Sequence, residues 1–249
     1  MELLTTLPEG LSATAFWVLM ATSFVASFIT VALGIGGGGL LLAIMASVVP
    51  PAALIAVHGV VQLGSNGGRA IMLWRSIRWL AVVPGFLIGS VVGSTIGGAV
   101  VIELPPSVVQ IGVGAFVIYS VFAKPPRWLS QWSWVTGAVS SFLTMFFGAT
   151  GLFVANYTKS FALPRHDHVA THAALMSVQH GLKVVIFGLL GFAFGAWAIV
   201  IVALIAAGLA GTFAGRLLLN RITDHGFKRA LDVILVLISL RLIWQGLSG

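Results

Sequence analysis

Residues 13–51 read ATAFWVLMATSFVASFITVALGIGGGGLLLAIMASVVPP. The uncharged run 13–33 is long enough, at about 1.5 Å per residue, to cross a hydrocarbon core of about 30 Å. The run Gly34 to Gly39, GIGGGG, then breaks any helix, because glycine carries the highest helix cost after proline. The apolar stretch that follows, 39–49, ends at Pro50–Pro51 and reaches only about 17 Å as a helix. A full span, a glycine break and a half-length helix describe a hairpin that turns back inside the membrane. Irregular backbone at that depth survives only where protein buries it or a polar cavity lines it.

The same grammar returns at Gly148–Gly151, GATG, followed by the apolar stretch 151–163 and Pro164. A gap-free shift of 114 residues lays Gly34 on Gly148, Gly37 on Gly151, Pro50 on Pro164, Ala56 on Ala170, His58 on His172 and Gly67 on Gly181. It also lays Asn66 on His180 and Arg69 on Lys183. A shift of 118 pairs Gly93 with Gly211 and Gly97 with Gly215, two small-xxx-small pairs of the kind that let helices approach closely. Inverted repeats with interrupted helices are a common plan of secondary transporters, and the breaks point to the binding site.

Composition agrees with membrane burial. Of 249 residues, 59% are hydrophobic and 8% charged, against about 25% charged in a soluble domain. The net charge of +7 does not form a nucleic-acid patch, because the basic residues lie in short clusters between apolar runs. With no cysteine, disulfides and thiolate chemistry are excluded. The acidic start (Glu2, Glu9) lacks a basic n-region, so the first apolar run is expected to be retained rather than cleaved.

Apolar segments run 13–33, 39–49, 52–74, 79–102, 106–122, 132–147, 151–163 with 166–190 as a broken pair, 196–219 and 229–247. Basic clusters fall at Arg75 and Arg78, at Lys124 and Arg127, at Lys159 and Arg165, and from Arg216 to Arg229; the other connections are neutral or acidic. Placing every basic cluster in the cytoplasm requires 13–49 and 132–163 each to fold back as a hairpin. The expected fold is therefore an all-α polytopic membrane protein of two inverted repeats, each a re-entrant helical hairpin plus three transmembrane helices. The first repeat spans 1–127 (hairpin 13–49; spans 52–74, 79–102, 106–122). The second spans 128–249 (hairpin 132–163; spans 166–190, 196–219, 229–247). Both termini are expected outside.

Polar residues pick out a site. His58, Gln62, Ser65, Asn66 and Arg69 share one helix face, and His172, Gln179, His180 and Lys183 form the matching face of the repeat. A charge at the bilayer centre costs about 2.5–3.5 kcal/mol on insertion scales, so these groups should face protein rather than lipid. Snorkelling of Arg69 and Lys183 to the two interfaces is the alternative. The short helices after the breaks, expected to begin near Gly38 and Leu152, present free N–H groups and positive dipole ends suited to an anion. None of the six acidic residues (Glu2, Glu9, Glu103, Asp167, Asp224, Asp232) falls at mid-membrane, where cation carriers usually keep a carboxylate. His166, His168 and His172 cluster at one helix start, and a pair four apart can hold zinc. No glutamate or cysteine completes such a site, so no metal and no cofactor is expected, and no enzymatic role. Tight helix packing is the plainer reading of the glycines.

Gly34–Leu40 (GIGGGGL), the Pro50–Pro51 turn, and the second copy Phe147–Leu152 (FGATGL) with Pro164 and Ala170–His172 resemble the sulfite exporter TauE/SafE family of membrane transporters. The resemblance implies transport of a small sulfur-containing anion (sulfite, sulfoacetate or another organosulfonate) across the cytoplasmic inner membrane, with export favoured. The candidate substrate-binding set is then Gly36, Gly37, Gly38, Thr150 and Gly151 at the breaks, with His58, Gln62, Asn66, Arg69, His172, Gln179, His180 and Lys183 along the path. The partners are the anion and the lipid bilayer, with no nucleic acid; a homodimer is compatible with the sequence. A passive anion channel or facilitator of the same fold, and a histidine-based metal transporter, stay open as alternatives.

Overall fold

The structure, a computed structural model, describes residues 7–33, 36–101, 105–122, 127–148, 150–218 and 225–248. Among these residues it is all helical. In chain order the helices are α1 (Ala13–Leu33), α2 (Gly37–Val48), α3 (Pro51–Met72), α4 (Trp79–Val82), α5 (Gly85–Val101), α6 (Pro106–Phe122), α7 (Ser133–Phe147), α8 (Gly151–Lys159), α9 (Arg165–Leu189), α10 (Ala198–Leu218) and α11 (His225–Ser248). Short 3₁₀ turns at Trp74–Ser76, Arg127–Ser130 and Phe194–Trp197 join some of them.

The two breaks fall where the glycines stand. Gly36, at φ 110°, immediately precedes α2, and Gly148, at φ 73°, ends α7. An L side chain is disfavoured in that region of backbone space, so these two positions call for glycine. The short helices begin at Gly37 and Gly151, one residue before the starts read from the sequence. Gly34 and Ala149, which belong to the same breaks, lie outside the described residues. After each short helix a proline opens the next long one: Pro50 precedes α3 and Pro164 precedes α9. Proline fits there because the first helical N–H groups lack intrahelical partners anyway.

One expected span is not continuous. The run 79–102 divides into α4 and α5 at Val83–Pro84, because proline lacks an N–H and its ring crowds the preceding turn. The apolar composition on both sides of Pro84 hides the interruption.

Helices pair in four main contacts: α1 with α10, α5 with α7, α6 with α11, and α3 with α9. α3 also packs on α10, and α9 on α5. Two of these seams are made by glycine. A Cβ on Gly89 or Gly93 of α5 would lie 1.9 or 2.0 Å from the carbonyl oxygens of Trp134 or Ala138 on α7. A Cβ on Gly211 or Gly215 of α10 would lie 2.0 or 2.9 Å from those of Phe24 or Phe28 on α1. Backbones this close permit no side chain, which is how small residues drive helix association where lipid removes the hydrophobic incentive.

The outer surface is apolar. Ile88, Leu189, Val202, Leu217, Leu237 and Trp244 are all exposed, spread over four helices. Contiguous apolar surface on this scale marks a membrane rather than water. By length and composition Ala13–Ala32 and Phe194–Leu217 can each cross a bilayer. α3 and α9 are as long but carry the polar faces, and they lie at the centre of the bundle. Their polar residues are buried in protein: His58, Gln62, Asn66 and Arg69 on α3, and His172, Gln179, His180 and Lys183 on α9.

Candidate functional site at the meeting of two helix breaks

Helix α3 attends the first break. His58 is fully buried, with Nε2 3.2 Å from the Gly38 carbonyl oxygen. A carbonyl only accepts, so Nε2–H is the donor and Nδ1 of the neutral ring holds a lone pair. One turn further, Gln62 lies against Gly38, where a Cβ would meet Gln62 Nε2 at 3.3 Å. Asn66 Nδ2 donates to the Gln62 backbone oxygen at 2.9 Å and to its Oε1 at 3.0 Å. Arg69 donates through Nη1 to Asn66 Oδ1 at 2.9 Å and through Nη2 to Thr212 Oγ1 of α10 at 3.5 Å. A polar run thus extends along one face of α3 from the break to Arg69. Ser65, also on that face, turns with Ser23 and Ser27 of α1 toward Gly208 of α10.

Helix α9 attends the second break in the same way. His172 Nε2 lies 3.3 Å from the Gly151 carbonyl oxygen, in the first turn of α8. Thr150 Oγ1 donates to Gln179 Oε1 at 3.5 Å, and Gln179 Nε2 reaches Ser140 Oγ at 2.5 Å and Ser141 Oγ at 3.0 Å on α7. Beyond Gln179 the likeness ends. His180 and Lys183 are fully buried, yet neither ring nitrogen of His180 nor Lys183 Nζ has a hydrogen-bond partner.

The two breaks are neighbours. A Cβ on Gly148 would lie 2.9 Å from Leu42 Cδ1 of α2 and 3.3 Å from His58 Nδ1. His58 therefore stands between the breaks, one nitrogen on Gly38 and the other toward Gly148. Lys183 crosses from α9 to α3, its stem against Gly59, where a Cβ would lie 2.8 Å from Lys183 Cδ. The His58 and His180 rings meet edge to face, centroids 6.0 Å apart. The N-cap residues of α2 and α8, Gly36 and Thr150, make no side-chain cap hydrogen bond, which leaves first-turn N–H groups uncapped. Gly37 is wedged on α1, where a Cβ would meet the Ala26 oxygen at 1.7 Å, so this glycine is also required for packing.

Neither cation snorkels. Arg69 is 2% exposed and Lys183 0%. The ion pair found among the described residues, Arg78 with Asp167 at 2.5 Å, lies elsewhere, at the start of α9. There the Arg78 backbone N–H also donates to Thr171 Oγ1 at 3.0 Å, and Arg165 donates to the Ala32 carbonyl of α1. His168 and His172 stack with centroids 6.3 Å apart, and the Nε2 of His172 is occupied by Gly151.

Sequence reasoning did not single out Ser140, Ser141, Thr212 or Gly59. The repeat offset carried a signal for one of these hydroxyl positions: Ser27 shifted by 114 falls on Ser141. Thr212 and Gly59 are defined only by the packing of another helix.

The fold, with its apolar surface and buried polar centre, is that of a helical membrane protein. The family model described as sulfite exporter TauE/SafE matches residues 19–242, and the chain belongs to that family of membrane transporters. No curated protein and no solved structure matches it.

Proposed function

We propose that the chain is a carrier for a small sulfur-containing oxyanion, sulfite, sulfoacetate or another organosulfonate, held where the two helix breaks meet. The observation that carries this reading is the burial of Arg69 and Lys183 with no carboxylate of the described residues paired with them. A buried ion costs several kcal/mol unless it is paired, and an arriving anion supplies the missing partner. Uncapped N–H groups at α2 and α8 favour the same sign of charge. A sulfonate or sulfite offers oxygens on several sides, which suits donors converging from α3, α9 and both breaks.

The arrangement favours a carrier over an open pore. His58, Thr150, Gln179, His180 and Lys183 are all 0% exposed, so a solute reaches them only after helices move. The two-repeat reading, 1–127 against 128–249 in opposite orientation, draws support from the pairing pattern. Exchanging the halves maps α1 with α10 onto α7 with α5, and maps α3 with α9 and α6 with α11 onto themselves. The histidine contacts to Gly38 and Gly151 follow the same exchange to within one residue, since the offset lays Gly38 on Leu152. We further infer residence in the cytoplasmic membrane with both termini outside, in line with the basic connections facing the cytoplasm, and export as the direction of use.

Counterflow in proteoliposomes tests the reading. Labelled sulfite or sulfoacetate should enter faster when unlabelled substrate is loaded inside. Entry that ignores the internal substrate would favour a passive pore, and no entry of any sulfur oxyanion would end the proposal.

A further inference from the structure

We propose that the chain moves a proton together with each anion, and that His58, backed by His180, receives it. The proposal rests on the anion-carrier reading and deepens it.

The argument is one of donors and acceptors. The Gly38 carbonyl holds the Nε2–H of His58, so a neutral ring presents a lone pair at Nδ1. That nitrogen is buried without a partner and is the one turned to Gly148 at the second break. A lone pair repels an oxyanion; an N–H attracts it. His58 can therefore serve an anion between the breaks only when Nδ1 also carries a proton. His180 stands beside it with both nitrogens buried and unpartnered; its neutral ring offers an anion one donor and leaves the other nitrogen a bare acceptor that can take a proton. Histidine is the side chain whose charge changes most readily near neutrality.

Among the described residues, no negative group near this cluster balances a protonated histidine, so the anion itself must. The charged and titratable groups around His58 and His180 are Lys183 and His172; His172 in turn is faced by His168, Arg69 and Lys159. Lys159 of α8 lies toward the N-terminal end of α9, near His168 and His172, where Arg78 pairs with Asp167. Arg75, on the turn packed against α9, is exposed. No carboxylate of the described residues approaches His58. An anion in the cluster stabilises an added proton there, and an added proton stabilises the anion. By linkage each occupancy raises the affinity of the other by the same factor. The proton comes from water on the side of loading and is returned to water on the side of release, so charge and atoms balance without any redox step.

The test uses the whole protein in proteoliposomes holding a pH-sensitive dye, with sulfoacetate as the probe. Both acid groups of sulfoacetate stay ionised at neutral pH, so with the membrane potential clamped by potassium and valinomycin, lumenal acidification reports a proton carried by the protein. The expected result is acidification in step with uptake, uphill accumulation driven by an acidic exterior, and a fall of the proton-to-anion ratio in His58→Gln. A second measurement removes dependence on the variant. Calorimetric titration of the native protein in two buffers of different ionisation enthalpy should show proton uptake on binding. Uptake with an unchanged lumenal pH, or binding with no proton uptake, overturns the proposal while leaving the carrier intact. Absence of both uptake and counterflow overturns the carrier reading beneath it.

Discussion

At the scale of single residues, the two matched cations are not equivalent. Arg69 is held by Asn66 and Thr212, whereas Lys183 Nζ has no partner. Removing an unpaired buried charge relieves a cost, while removing a hydrogen-bonded one leaves its partners stranded. Lys183→Met should therefore keep or raise the thermal unfolding temperature in detergent and still abolish sulfur-oxyanion transport. Arg69→Met should lower that temperature as well as weaken transport by about tenfold or more, equivalent to about 1.4 kcal/mol. A Lys183→Met protein that transports normally would remove the lysine from the site. Gly59 offers a separate probe, because a side chain there meets the lysine stem at 2.8 Å. Gly59→Val should reduce transport by displacing Lys183, and a transport assay beside a melting curve will separate this from a folding defect. The sequence exposed the residue types and their helical spacing. It did not distinguish a clamped arginine from a bare lysine, because Thr212 arrives from another helix.

At the scale of elements, two kinds of glycine have different duties. At Gly93 and Gly211 an added Cβ would lie 2.0 Å from a carbonyl oxygen of the facing helix. Leucine at either should prevent assembly, seen as loss of the monodisperse peak in fluorescence-detected size exclusion. Gly39 and Gly195, with open space around them, should accept alanine with little change. Between these limits, Gly148→Ala puts a side chain at φ 73°, which costs about 1–2 kcal/mol, and presses it on Leu42 and His58. The helix pattern was largely legible in the sequence, since glycine runs and prolines punctuate it and 13–33 coincides with α1. The interruption at Pro84 was not, although a proline stood there, because an apolar stretch long enough to span dominated the reading. Pairing partners were legible only as small-xxx-small spacing: Gly93 and Gly97 announced a close contact but not that α7 supplies it.

At the scale of the whole molecule, the account requires two halves facing opposite ways around a closed polar centre. The native chain has no cysteine, so single cysteines report topology without background. Gly195→Cys, exposed on the connection before α10, should react with an impermeant maleimide from outside the cell, and Arg75→Cys, exposed after α3, should not; the opposite pattern would reverse the orientation. The sequence carried this architecture as an offset of 114 residues between the breaks, and carried nothing about how near the breaks come, because that distance is set by α3 and α9 packing face to face. The most direct test of the central claim is calorimetric titration of sulfoacetate into the purified native protein and into Lys183→Met. Saturable binding to the native protein, weakened by about tenfold or more in the variant, is the predicted result. Equal affinity in both would contradict an anion held by the buried lysine between the breaks.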